Sequence, residues 1–262
     1  MRVPLYQVDA FTEHLFGGNP AAVCPLEKWL PAEQMQAIAA ENNLAETAFF
    51  VANGSGFDLR WFTPALEVDL CGHATLATAH ILYQHLGYKA DQIRFFTRSG
   101  ELLVERQDKG YRMDFPAQPP VTQGVPSQLL SALELGTATY VGQSVNYYFV
   151  VLEDEAAVRA VNPDMRALAK LEKIGVMVSS QGDNVDFVSR FFAPKAGIDE
   201  DPVTGSAHCA LIPYWGQALG KQALSAWQIS PRKGILDCEW RGDRVWIGGQ
   251  AVTYLEGQIY VS

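Results

Sequence analysis

The chain has 262 residues, 48% of them hydrophobic and 19% charged, and a formal net charge of −9. This length suits two lobes or one large domain, and the composition is that of an ordinary globular protein, which excludes disorder. The acidic balance and the lack of a Lys/Arg cluster exclude nucleic acid and anionic membrane as partners, because phosphate recognition runs on clustered cations; no apolar run is long enough to span a bilayer.

Residues 3–8 read as a strand, without the apolar core of a signal peptide. The four cysteines, Cys24, Cys71, Cys209 and Cys238, lie far apart, and together these features point to a cytoplasmic protein with reduced thiols. Gly17-Gly18-Asn19-Pro20 is turn chemistry that returns the chain into residues 21–24. Pro31 opens a helix with Met35, Ile38 and Ala39 on one face, and Asn42-Asn43 ends it. Glu46 comes just before an aromatic strand, and residues 59–62 form another. Asp69 and Gly72 mark the start of a helix that carries Leu76, Ala79, His80 and Tyr83 toward a glycine stop at Gly87. Residues 93–97, 102–105 and 111–115 suggest a meander, and Pro116-Ala117-Gln118-Pro119-Pro120 is the best linker candidate.

Strands follow near residues 147–151, 174–178 and 186–192, with a short helix around 164–171 and a long one over 205–219. Three closing strands surround Ile235, Val245 and Ile259. Strands in hairpin-like runs, rather than strict β–α alternation, argue against a doubly wound parallel sheet. The expected class is α+β, with two similar lobes, each a curved and mostly antiparallel sheet holding one long apolar helix. The first lobe covers residues 1–115, joined by the closing strand at about 252–262, and the second covers 116–251.

Two stretches carry the same skeleton of aromatic, proline, acid, glycine, polar residue and alanine ahead of a helix. Phe62-Thr63-Pro64 leads to Asp69-Leu70-Cys71-Gly72-His73-Ala74, and Phe192-Ala193-Pro194 leads to Asp201-Pro202-Val203-Thr204-Gly205-Ser206-Ala207. Small residues at a helix start let a ligand reach the free N–H groups, which with the helix dipole bind a carboxylate or steady an enolate. Ordinary N-terminal helix turns are the plainer reading. Glu46, partly desolvated beside the aromatic strand, suits proton transfer, or is a strand-edge acid. Asp201 is a second proton acceptor or part of a solvated acidic loop. Cys71, His73, His80, His208 and Cys209 match no metal-ligand spacing, so no metal is expected. No GxGxxG or P-loop argues for a nucleotide cofactor.

Four motifs in order resemble the phenazine-biosynthesis PhzF-like family, within the diaminopimelate epimerase fold, over nearly the whole chain. They are Val8-Asp9-Ala10-Phe11 with Gly18-Asn19-Pro20, then Glu46-Thr47-Ala48-Phe49, then Asp69 to Thr75, then Glu200 to Ala207. The resemblance implies two lobes, each a barrel-like sheet around a central helix, an active site between them, no cofactor and a homodimer. It makes Glu46 the proton-transferring residue, with His73 and Asp201 as catalytic partners. It also places Ser206, with His73 and Asp201, around the substrate; Gly72 and Gly205 at the helix starts, with Asn19 and Ala74 in the matching motifs, are the further residues expected to bind it. The epimerases that the chain resembles use one cysteine from each lobe; here Cys71 keeps the first position and Thr204 takes the second, too weak an acid and base for two-thiol racemisation. The expectation is a cofactor-independent isomerase of a small, carboxylated metabolite. An amino-acid-type epimerase or racemase using Cys71, or a non-catalytic binding protein, are the alternatives.

Overall fold

Many of the inner strands are apolar on both faces, as strands must be when a sheet is covered on both sides. The computed structural model describes residues 1–261 and divides into a first unit, Met1–Asp114 with Gly248–Ser262, and a second, Phe115–Ile247. No helix among the described residues is long and apolar enough to cross a membrane.

The first unit contains β1 (Arg2–Ala10), β2 (Asn19–Leu26), α1 (Ala32–Asn42), β3 (Glu46–Ala52), β4 (Phe57–Phe62), β5 (Glu67–Val68), α2 (Gly72–Gln84), β6 (Gln92–Thr97), β7 (Gly100–Arg106) and the start of β8 (Tyr111–Pro116). The second contains α3 (Leu129–Ala132), β9 (Tyr140–Gln143), β10 (Tyr147–Val151), α4 (Glu155–Ala160), α5 (Met165–Leu168), β11 (Gly175–Gln181), β12 (Phe187–Ala193), β13 (Ile198–Glu200), α6 (Gly205–Leu219), β14 (Ala223–Gln228), β15 (Gly234–Arg241) and most of β16 (Arg244–Gly249). The chain then returns to the first unit as β17 (Ala251–Tyr260), antiparallel to β1.

The pairing order repeats. In the first unit β1–β2 is antiparallel, β2–β3 parallel, β3–β4 and β4–β5 antiparallel, β4–β6 parallel and β6–β7 antiparallel. In the second, β9–β10, β10–β11, β11–β12, β12–β13, β12–β14 and β14–β15 run through the same six relations in the same order. Each unit is therefore α+β, with a mostly antiparallel sheet and one long helix entered from a short strand. The repeat reaches side chains. Arg60 on β4 makes a two-pronged pair with Glu67, at 2.7 and 2.8 Å, and Arg190 on β12 makes one with Glu200, at 2.8 and 2.9 Å.

Alternation along the strands gives each sheet two apolar faces. In the first unit Cys24, Phe49 and Phe62 pack with Met35 and Ala39 of α1. In the second, Val176, Val178, Val188 and Phe192 pack with Leu129, Val158 and Leu168 from α3, α4 and α5, while Ser179 on the other face accepts a bond from Trp215 of α6. The two long helices are buried almost all round. Such a helix must satisfy its own polar groups, and Thr75 and Thr78 of α2 donate back to the carbonyls of Cys71 and Ala74 at 2.6 and 2.7 Å. Pro213 inside α6 has no N–H for the Cys209 carbonyl four residues earlier; that oxygen instead accepts the Gln118 N–H at 2.8 Å. Gln118 belongs to the stretch that reads as a linker, and with Ala117 bonded to the Asp243 carbonyl it is tied down rather than free.

Several elements differ from the sequence reading, which lacks the short strands β5, β9 and β13 and the short helix α3. Strand β14 and helix α4 are absent from it, because Ala223-Leu224-Ser225-Ala226 and Glu155-Ala156-Ala157 carry no strong period. Helix α2 stops at Gln84, and Gly87, with φ +68°, lies in the exit turn that sends the Tyr88 N–H back to the Leu82 carbonyl.

Candidate active site

In the first unit Cys71 is the N-cap of α2, with extended backbone (φ −145°, ψ 109°), and His73 is the second helical residue. Glu46 opens β3, opposite Ala21 of the neighbouring strand. This brings the Glu46 Oε2 to 3.0 Å from His73 Nε2, with side chains only 14% and 6% exposed. The other ring nitrogen, Nδ1, lies 3.3 Å from Asn19 Nδ2 and 3.5 Å from Cys71 Sγ. Asn19, His73 and Glu46 thus form a continuous polar row. Gly72 is buried in the first turn, and the Ala74 N–H is aimed at the Cys71 sulfur. Ala74 therefore supports Cys71.

Burial opposes a charged His73, but a Cys71 thiolate and the Glu46 carboxylate each favour it, and the net direction is well above the usual imidazole range; while Cys71 is a thiol, Glu46 is the neighbour that supplies the charge. Burial pushes the Cys71 thiol up to about 11, Glu46 adds to this, and His73 opposes it. The thiol form therefore dominates near neutral pH. The donor atoms of Glu46, Cys71 and His73 lie within 4.8 Å of one another, a spacing a metal ion could bridge. Sγ, however, is 3.5 Å from Nδ1 and 4.0 Å from Nε2, so it lies beside the ring rather than along either in-plane lone pair. The cluster is better shaped for passing protons than for coordination.

In the second unit Thr204 takes the N-cap of α6, also with extended backbone. Its hydroxyl donates to Asp201 Oδ2 at 2.5 Å. Asp201 is buried, whereas Asp69, its counterpart by motif, is exposed and 3.7 Å from Arg98. One residue explains the difference: Asp201 precedes its N-cap by three positions and folds under it, while Asp69 precedes Cys71 by two. Gly205 is buried at the first position of α6. Ser206 shares a 2.8 Å hydrogen bond with Tyr147 at the start of β10, whose ring meets Phe191 edge-on.

The sequence-predicted residues fall into two sets: Glu46, His73, Gly72, Ala74 and Asn19 together in the first unit, and Asp201, Gly205 and Ser206 at the start of α6 in the second. His80, read as a core histidine, bonds Tyr111 and Thr253 at 3.2 and 2.9 Å. Sequence reasoning missed Tyr147 and Gln228. Gln228 is fully buried and donates to the Asp201 carbonyl at 2.7 Å. A polar residue in the inward register of an otherwise apolar strand end is the signal that marks it.

The family model described as phenazine biosynthesis-like protein matches residues 8–257. An uncharacterized isomerase of Pseudomonas aeruginosa is 50% identical, with all of both chains covered. The crystal structure of a phenazine biosynthesis protein of the PhzF family from Enterococcus faecalis superposes with a TM-score of 0.96 at 48% identity over all of both chains. A hydroxyproline epimerase from Agrobacterium vitis shares the fold alone, with a TM-score of 0.58 at 11% identity over 98% of this chain and 92% of its own. Fold, motifs and full-length relatives agree, and the chain belongs to the phenazine biosynthesis-like, PhzF family of isomerases.

Proposed function

We propose that this isomerase works without a cofactor and moves a proton within a small carboxylated metabolite. Glu46 removes a proton from a carbon next to an activating group and returns it elsewhere. The observation that carries this reading is the 3.0 Å contact between Glu46 Oε2 and the buried His73 Nε2, which gives the carboxylate a partner able to hold or supply a proton. Asp201 assists as a further proton or hydrogen-bond partner. The first turns of α2 and α6, with Gly72 and Gly205, offer N–H groups to a carboxylate or a developing enolate, and Ser206 and Asn19 add side-chain contacts. Four unpaired, buried cysteines fit a cytoplasmic, reducing setting, and we expect a homodimer.

The test is incubation with a panel of carboxylated metabolites in deuterated water, with label read by mass spectrometry. Glu46→Gln should slow label uptake by about 10²–10⁴; unchanged uptake would remove Glu46 from its role. The epimerase alternative needs a Cys71 thiolate, which burial disfavours. Inversion with label uptake, abolished in Cys71→Ala, would restore it.

A further inference from the structure

Thr204 replaces a thiol position, yet its side chain is not idle. We infer that Thr204 and Gln228 are positioning residues that mount the Asp201 carboxylate, an inference that rests on the proposed role of Asp201. Gln228 ends β14 in its inward register and is fully buried. Its Oε1 accepts the Thr204 N–H at 2.8 Å, and its Nε2 donates to the Asp201 carbonyl at 2.7 Å. An amide can serve a buried N–H and a buried C=O together in one orientation only, so the loop fixes Gln228 as firmly as Gln228 fixes the loop.

The same Nε2 lies 3.3 Å from Thr204 Oγ1. A hydroxyl that accepts there keeps its single proton for another partner, and that proton points to Asp201 Oδ2 at 2.5 Å. The direction of the bond is thereby set: amide to hydroxyl to carboxylate. A hydrogen bond of this kind to an ionised acceptor is about twice as strong as a neutral one. The surrounding backbone is held as well. Asp201 N–H bonds the Phe191 carbonyl at 3.0 Å, Ser230 Oγ donates to the Pro202 carbonyl at 2.8 Å, and His208 Nδ1 donates to the Thr204 carbonyl at 2.9 Å. His208 can do so as a neutral ring, since burial pulls it down to about 4. In this unit the change from thiol to hydroxyl exchanges a reactive group for a fastening.

Proton NMR of the labelled full-length protein tests the mount without any substrate. A Thr204 hydroxyl proton shifted downfield and protected from exchange is expected, lost in Thr204→Val, retained in Thr204→Ser and moved upfield in Asp201→Asn. Gln228→Met keeps the packing volume but makes neither amide bond, so the Thr204 backbone amide should exchange at least about tenfold faster while the protein stays folded. On a panel carboxylate that takes up label, Thr204→Val should lower kcat with little change in KM, and Thr204→Ser should restore it. An unshifted hydroxyl signal in Asp201→Asn, or unchanged Thr204 amide exchange in Gln228→Met, would overturn the inference. Full turnover in Asp201→Asn with both NMR results as expected supports the mount and overturns the role of Asp201 in turnover, so the two readings fail separately.

Discussion

Cys71 and Thr204 cap their helices with closely related backbones, φ −145°, ψ 109° and φ −112°, ψ 95°, yet their side chains have different neighbours. The Cys71 sulfur sits beside His73, and the Thr204 hydroxyl is bonded to Asp201. With the thiol pushed up to about 11, mainly by burial, the thiolate is about a thousandth of the population at pH 8. Alkylation of Cys71 by iodoacetamide, mapped by mass spectrometry, should therefore be far slower than that of a free cysteine and should climb with pH toward 11. Fast labelling at pH 8 would show a reactive thiolate and revive the epimerase reading.

The Glu46–His73 pair gives stability a pH signature. His73 is raised in the folded state above an unfolded value of about 6.5. Its contribution is then complete below about pH 6.5 and is lost as pH rises through the folded value. Removing the carboxylate removes one cause of the shift. Thermal scans from pH 6 upward should show a fall in Tm for the wild type and a smaller one for Glu46→Gln; parallel curves would mean that Glu46 does not hold the imidazolium.

Arg60 and Arg190 hold equivalent stations but different loads. Arg190 also donates to the carbonyls of Val158, Arg159 and Val161, at 3.3, 3.2 and 2.6 Å. Arg190→Met strands those acceptors along with Glu200 and should cost about 3–5 kcal/mol. Arg60→Met leaves Glu67 with Arg98 still 2.8 Å away, and about 1–2 kcal/mol is expected. Urea titrations of the two variants would check the order, and equal losses would contradict it.

The Gln118 N–H answers for the bond that Pro213 cannot make. Gln118→Pro removes that donor and leaves the Cys209 carbonyl without it. A loss of about 1–3 kcal/mol is expected from thermal or denaturant unfolding, against no measurable change if solvent reaches that oxygen.

Long elements and the paired cassettes are legible in the sequence because they repeat strong local signals: helix α6 runs over the residues that Gly205 and the later Gly220 delimit, and Glu46 stands at the start of its aromatic strand. The acid of each cassette is less legible. Asp69 and Asp201 look alike in motif, and a single inserted residue sends one into solvent and the other under its helix. Gln228 and Tyr147 reach the start of α6 through pairings made far along the chain, which no local pattern encodes. The repeated arginine could have been found: Arg60 and Arg190 both stand four residues before the cassette proline.

Strand β17 has a consequence for biosynthesis. The first unit takes its last strand from the far end of the chain, and the Val261 N–H closes on the Met1 carbonyl at 2.8 Å. A ribosome delivers that strand only after the whole of the second unit. The second unit, drawn from one unbroken stretch, is the one able to close while the chain is still emerging, which reverses the usual order in which N-terminal parts fold first.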